Sequence, residues 1–339
     1  MKHRLTVTGM TCDGCAAHVE EALRTVPGVS AAVSYASASA EVEAPESVAP
    51  EQLVAAVAGA GYAAEVTGVP PETATGGGGH GLHVAVIGSG SAAFACALRA
   101  AEEGARVTMI EAGTVGGTCV NVGCVPSKIL LRGAHVAHTQ AAHPFEGVTR
   151  SDPSIDRRAM VAQQQARVDE LRVAKYEDIL AANPGIELRR GFASFEDPHT
   201  LVVRGPDGSE QRLTPDRVFV ATGASPLVPE ILGLSDTPYW TSTEALVAEE
   251  LADHLLVLGG SFVALELAQA FRRLGSGVTV LARSTFLSKE DPGLGEGLQQ
   301  AFEDEGIRVL LHTVPSRVEH DGERFRLETA QGAIEGDRL

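Results

Sequence analysis

Positive charge is scarce in this chain of 339 residues, where 27 lysines and arginines stand against 44 aspartates and glutamates for a formal net charge of -17. The acids are spread along the chain rather than blocked, so neither a nucleic-acid backbone nor an anionic membrane is an expected partner. Also absent is any uncharged apolar run of about eighteen residues, which excludes a membrane-spanning helix as a feature of the sequence. The amino terminus carries basic residues but reaches Thr8, Gly9 and a cysteine before any long apolar stretch, unlike a secretory leader. A soluble cytoplasmic protein is expected, in which thiols stay reduced. Cysteine itself is sparse. Of five, four fall into two close pairs, Cys12 with Cys15 and Cys119 with Cys124, and in a reducing compartment such pairs point to soft metal ions or redox exchange. Cys96, alone on an apolar helix, reads as core packing.

What is present is enough apolar material for two or three domains: 44% of residues are hydrophobic and the mean hydropathy is near zero. Residues 4–8, 13–25, 29–35, 39–43, 50–60 and 62–66 alternate as strand, helix, strand, strand, helix and strand. That order is a ferredoxin-like βαββαβ unit over residues 1–67. Two prolines and a glycine run occupy 68–82, a composition that reads as a flexible linker. His80 and His83 stand at its end as weak metal-ligand candidates. From 83 the pattern becomes βαβ, with strand 83–87, a glycine turn, an alanine-rich helix and strand 106–111, opening a dinucleotide-binding domain over 83–250. One long helix is expected over 157–182. A second βαβ begins at Leu255, placing a second nucleotide-binding domain at 251–339. The expected class is therefore α/β with α+β: a small metal-type domain followed by two Rossmann-like domains.

Gly88-Ser89-Gly90-Ser91-Ala92-Ala93 fits the strand-turn-helix signature. Gly88 and Gly90 let the backbone approach a pyrophosphate at a helix amino terminus, and Ala93 lets helix and strand pack closely. Glu111 ends the second strand, where a carboxylate accepts hydrogen bonds from ribose hydroxyls. In the second unit Gly259 keeps the pattern, but Ser261 replaces its second glycine. Arg283 stands where an NAD-binding chain would carry an acid, and a guanidinium there suits the 2′-phosphate of NADPH; a solvated surface residue is the plain alternative. Cys119 and Cys124 precede Pro126, from which a helix can continue, and the field at its amino terminus would favour a nearby thiolate. Lys128 offers a charge one turn further on.

The run Gly116-Gly117-Thr118-Cys119-Val120-Asn121-Val122-Gly123-Cys124-Val125-Pro126-Ser127-Lys128 resembles the active-site signature of the flavin-dependent pyridine nucleotide-disulfide oxidoreductases. Gly9-Met10-Thr11-Cys12-Asp13-Gly14-Cys15 resembles a heavy-metal-associated domain, and the two together resemble the mercury(II)-reducing branch of that group. The resemblance implies FAD and NADPH as cofactors and Hg(II), carried as low-molecular-weight thiol adducts, as substrate. It makes Cys124 the thiol at the flavin and Cys119 the exchanging thiol, with Cys12 and Cys15 capturing Hg(II). It pairs Lys128 with Glu266 near the flavin, sets Tyr176 beside the metal, and assigns Ala93, Glu111, Gly113, Thr118 and the backbone at Ala193 to FAD. Thr222 and Gly223 join that cofactor set. A homodimer is implied for the full-length family member. Because the sequence stops inside the second nucleotide domain, a shortened chain is expected, without the later flavin segment, the dimer-forming domain and a carboxy-terminal cysteine pair. Two other readings stay open: a dithiol reductase of the dihydrolipoamide dehydrogenase kind, and a metal-binding fragment without catalysis.

Overall fold

The computed structural model describes residues 2–10, 13–35, 38–45, 47–68 and 81–339. Cys12, His80 and most of the expected linker lie outside those residues. The chain divides into two compact units, residues 1–80 and 81–339.

The first unit runs β1 (Lys2–Thr8), α1 (Asp13–Arg24), β2 (Ser30–Ser34), β3 (Ser39–Glu43), α2 (Pro50–Gly59) and β4 (Ala63–Gly68). Its antiparallel sheet has the order β2-β3-β1-β4, so the ferredoxin-like expectation holds. Alternation does the work: in β3, Ala40 and Val42 point inward while Glu41 and Glu43 face solvent. Leu5, Val19, Leu23, Leu53 and Val57 are fully buried between sheet and helices, each contributing about 1.5–3 kcal/mol for a large aliphatic side chain.

The second unit opens with β5 (His83–Ile87), α3 (Ser91–Glu102) and β6 (Arg106–Glu111), then α4 (Gly117–Asn121), α5 (Cys124–Ala142) and α6 (Arg157–Arg172). A π-helical turn, Val173–Glu177, joins α6 to α7 (Asp178–Ala182), so the expected single helix over 157–182 is interrupted at Tyr176. There follow β7 (Ile186–Arg190), β8 (Phe192–Asp197), β9 (Thr200–Arg204), β10 (Glu210–Leu213), β11 (Arg217–Val220) and α8 (Ser242–Val247). β11, β5, β6 and β7 form a parallel sheet in that order, and β10, β9 and β8 an antiparallel one. The rest is β12 (His254–Leu258), α9 (Phe262–Arg273), β13 (Gly277–Leu281), α10 (Pro292–Asp304), β14 (Arg308–Leu310), β15 (Arg317–His320), β16 (Phe325–Thr329) and β17 (Gly332–Gly336). β12, β13 and β14 are parallel; β15, β16 and β17 are antiparallel.

The two parallel sheets are tied at their amino-terminal ends by the same devices. The His83 backbone N–H donates to Asp216 Oδ2 at 2.7 Å, and its Nε2 lies 2.9 Å from Thr108 Oγ1. The His254 N–H donates to Asp337 Oδ1 at 2.5 Å, and its Nε2 lies 2.9 Å from Thr279 Oγ1. His83 is thus buried as a strand clamp, and the metal-ligand idea for it has no support. α5 buries Leu130, Ala134 and Ala137 in one core with Leu265, Ala268 and Phe271 of α9, so the helix that starts at a cysteine is packed against the helix that follows β12.

Candidate functional site

The chain leaves β5 through Gly88, whose φ is +110°. A Cβ there would lie 2.2 Å from the carbonyl oxygen of Ala221, just beyond β11, so only glycine lets the two strand exits run together. Gly90 caps α3 through its backbone alone, and no acidic side chain stands in the first turn of that helix. Its amide donors are therefore available to an anion. Ala93, fully buried, packs α3 onto the sheet. Glu111 accepts from Ser89 Oγ at 2.6 Å and from Gly113 N at 2.6 Å.

The thiol segment begins on this turn. Gly117, at φ +66°, puts the place of a Cβ 2.6 Å from Gly90 Cα, and the corresponding point on Gly223 is 3.7 Å from Thr118 Oγ1. The turn at Gly88 and Gly90, the acid with Gly113, the segment at Gly117 and Thr118, and the Ala221–Gly223 exit with Thr222 thus converge. Ala193 is half-buried at the start of β8, two residues after Gly191, whose N–H donates to Glu111 O at 2.9 Å. The amide donors at the α3 amino terminus, the glycine-lined backbone and a carboxylate with unused lone pairs suit a dinucleotide such as FAD.

Cys119 sits half-buried in α4, and Cys124 is exposed. Burial, followed by hydrogen-bonding and charge interaction with the neighbouring Cys124 thiol, pushes the Cys119 thiol up from its ordinary value. Cys124 is the first residue of the nineteen-residue α5. The helix therefore starts two residues before Pro126 rather than at it. Proline is tolerated at this third position because the first-turn N–H groups have no partner within the helix, and the bond from Ser127 N to Gly123 O at 3.0 Å follows it. Asn121, which no sequence signal singled out, ties α4 down: its amide donates to Val115 O and Gly117 O, each at 2.9 Å, and accepts from Arg172 Nη1 at 3.2 Å.

Lys128, one turn after Cys124, places Nζ 2.5 and 2.6 Å from the two carboxylate oxygens of Glu266 on α9. Tyr176 lies at the glycine turn: its Oη is 3.2 Å from Ser91 Oγ, its ring stands edge-on to Phe94 at 4.9 Å, and a Cβ on Gly116 would be 3.2 Å from it. In the second half, Gly259 has φ +143°. Ser261 caps α9 without a side-chain bond, and the first turn again carries no acid. Arg283 is exposed two residues beyond β13. In the first unit Cys15 is half-buried in the first turn of α1. Among the described residues no group of three or more His, Cys, Asp or Glu is arranged to hold a metal ion.

Residues 82–339 match the pyridine nucleotide-disulphide oxidoreductase family, and residues 4–63 match the heavy-metal-associated domain. A mercuric reductase of Shigella flexneri is 54% identical over 99% of this chain and 63% of that protein. One from Acidithiobacillus ferrooxidans is 54% identical over 99% of this chain and 61% of that protein. The chain thus spans somewhat over three fifths of the length of these relatives. Among solved structures, the Cu(II) complex of the HOCl-induced flavoprotein disulfide reductase RclA from Escherichia coli superposes with a TM-score of 0.67 at 30% identity, covering 76% of this chain and 55% of that one.

Proposed function

The chain belongs to the pyridine nucleotide-disulphide oxidoreductase family, and from that membership we propose that it reduces Hg(II) to Hg(0) with electrons from NADPH, by way of FAD and the pair Cys119 and Cys124. The observation that carries this reading is a pair of free thiols, Cys119 in α4 and Cys124 at the start of α5, on a segment whose Gly117 packs against Gly90 of the glycine turn. Hg(II) is soft and prefers two thiolates. Its relatives named for mercury support the choice of metal.

Bound at the convergence of Gly88, Gly90, Ala93, Glu111, Gly113, Thr118, Ala193, Thr222 and Gly223, FAD supplies two-electron transfer between NADPH and the thiol site. Every other part of the work falls to the chain's own groups. Gly259, Ser261 and the free first turn of α9 receive the NADPH pyrophosphate, and Arg283 reads its 2′-phosphate. Lys128, held by Glu266, keeps a fixed positive charge one turn from Cys124 and so favours negative charge developing beside it. Cys124, at the start of α5, is the thiol at the flavin, and Cys119 is the exchanging thiol. Cys119 gives up its proton when Hg(II) binds, because coordination to the metal offsets the burial that holds the thiol protonated. Tyr176 borders this site from the glycine-turn side. Hg(II) accepts two electrons, both sulfurs are released as thiolates, and the neutral atom leaves. Cys12 and Cys15 capture Hg(II) from low-molecular-weight thiol adducts and pass it on by thiol exchange. The same reading carries cytoplasmic residence, where thiols stay reduced, and a homodimer; among the described residues no helix is long and apolar enough to cross a membrane.

The test is NADPH oxidation by FAD-reconstituted protein in excess thiol, with and without Hg(II), together with detection of mercury vapour. Hg(II)-dependent oxidation with vapour is the expected result. Flavin retention with reduction of a dithiol's disulfide and none of Hg(II) would replace this reading with a disulfide reductase.

A further inference from the structure

Glu111 is held from two sides by residues to which nothing so far gives a role. Ser89, between the two glycines of the turn, is 1% exposed, and its hydroxyl donates to Glu111 Oε2 at 2.6 Å. The donor is unambiguous, since an ionised carboxylate only accepts. On the other side, Arg190 stands in register with Glu111 across β6 and β7. Its guanidinium does not pair with the acid; Nη1 donates to Gly113 O at 2.7 Å, while Gly113 N donates to Glu111 Oε1 at 2.6 Å. A chain of three short bonds therefore runs from the buried glycine turn, through the carboxylate and the turn after β6, to the end of β7.

A carboxylate has about four lone-pair positions, and this chain uses one on each oxygen. One further position on each oxygen is left for neighbouring hydroxyls. Had Arg190 forked onto the carboxylate itself, both would be taken. We propose that Ser89 and Arg190 are positioning residues that lock the Glu111 carboxylate and the 111–113 turn to receive the 2′- and 3′-hydroxyls of the adenosine ribose. The inference rests on the reading of this site as an FAD site. Ser89 aims the carboxylate, and Arg190 fixes the backbone turn that aims it from the other oxygen.

The experiment titrates the full chain, freed of flavin, with FAD and with an FAD analogue lacking both hydroxyls of the adenosine ribose, followed by flavin fluorescence, which reports on this site and not on the NADPH site. Ser89→Ala is expected to weaken FAD about ten- to hundredfold, the worth of one hydrogen bond to a charged group, and to change analogue binding less than about twofold. Arg190→Met is expected to act in the same sense, with Arg190→Lys recovering part of the loss because an ammonium still donates to a carbonyl. Equal losses for both ligands, or no loss, overturn the proposal while leaving the FAD site standing. If the unaltered chain binds neither flavin, the FAD reading fails and this proposal with it. Melting curves by circular dichroism, expected to stay within a few degrees of the parent for all three variants, separate lost positioning from lost folding.

Discussion

Lys128 and Glu266 lie 138 residues apart in sequence, yet the ammonium of one touches both carboxylate oxygens of the other at 2.5 and 2.6 Å. The pair joins the helix that begins at Cys124 to the helix that follows the second glycine turn. Their side chains are 60% and 39% exposed, so the pair contributes about 1 kcal/mol or less to folding. On the proposed reading, its value lies in fixing a charge one turn from Cys124. Lys128→Met and Glu266→Gln are each expected to slow NADPH-dependent flavin reduction about a hundredfold, with melting temperature almost unchanged; stopped-flow absorbance and calorimetry read the two quantities.

The two thiols should answer differently to alkylation. Cys124 is exposed and Cys119 is half-buried with its thiol pushed up. At neutral pH, iodoacetamide is expected to label Cys124 first. Labelling of Cys119 should rise steeply only as the medium becomes alkaline, since a raised value keeps the proton on at neutrality. Peptide mass spectrometry across pH checks the order. Cys119→Ala and Cys124→Ala should each lower Hg(II)-dependent NADPH oxidation by about a thousandfold or more, as residues acting as a unit do.

Two glycines of one turn should differ sharply. Gly88→Ala forces a Cβ to within 2.2 Å of Ala221 O at φ +110° and is expected to cost about 3 kcal/mol or more. Gly90→Ala meets only Gly117 Cα at 3.8 Å and should cost no more than about 1 kcal/mol. Urea unfolding of both variants makes the comparison.

Burial holds the imidazoles of His83 and His254 below their ordinary value of 6.5. Arg106 and Arg189 act in the same direction on His83, and Asp216 and Glu187 oppose; on His254, Asp337 opposes while Arg308 and Arg324 add to the lowering. As pH falls below 6.5, the unfolded chain gains protons on these groups before the folded chain does, so stability falls. The loss ends once both folded values are passed. Melting temperatures from pH 7.5 to pH 5 should drop for the parent, and the slope should flatten in a His83→Gln, His254→Gln double variant.

Arg283 should decide between nicotinamide cofactors. Arg283→Glu is expected to raise KM for NADPH about ten- to hundredfold, the worth of a charge-assisted contact, with little change for NADH. Comparable turnover of both cofactors by the parent would sink the assignment.

Much of this organisation was legible in the sequence because it is local. Period-two alternation in β3 and the glycine turns at 88–90 and 259–261 depend on a few neighbouring residues, and the elements form where those patterns place them. Less local features were not legible. The π turn at Val173–Glu177 interrupts a sequence that reads as unbroken helix; it coincides with Tyr176 packing on Phe94, a contact made across 82 residues. The partners of Asn121, His83 and His254 are fixed by the tertiary fold, since Asp216 lies 133 residues from His83. A helix continuing from Pro126 is legible, but its start at Cys124 is not, because a proline at the third helical position loses no bond and so marks no boundary. The site residues of the first half were nameable one by one, but the link through Ser89 and Arg190 emerges only when β6 and β7 are in register.

The clamps on the two parallel sheets match residue for residue. His83 with Thr108 and Asp216, and His254 with Thr279 and Asp337, fasten each sheet at the end away from its glycine turn. Each sheet is thereby clamped at one end of its strands and carries its glycine turn at the other. The two halves share this clamp while differing at the turn end, where one has Gly90 and Glu111 and the other Ser261 and Arg283. A substitution that loosens either clamp should therefore lower the melting temperature while leaving the residues of the glycine turns in place.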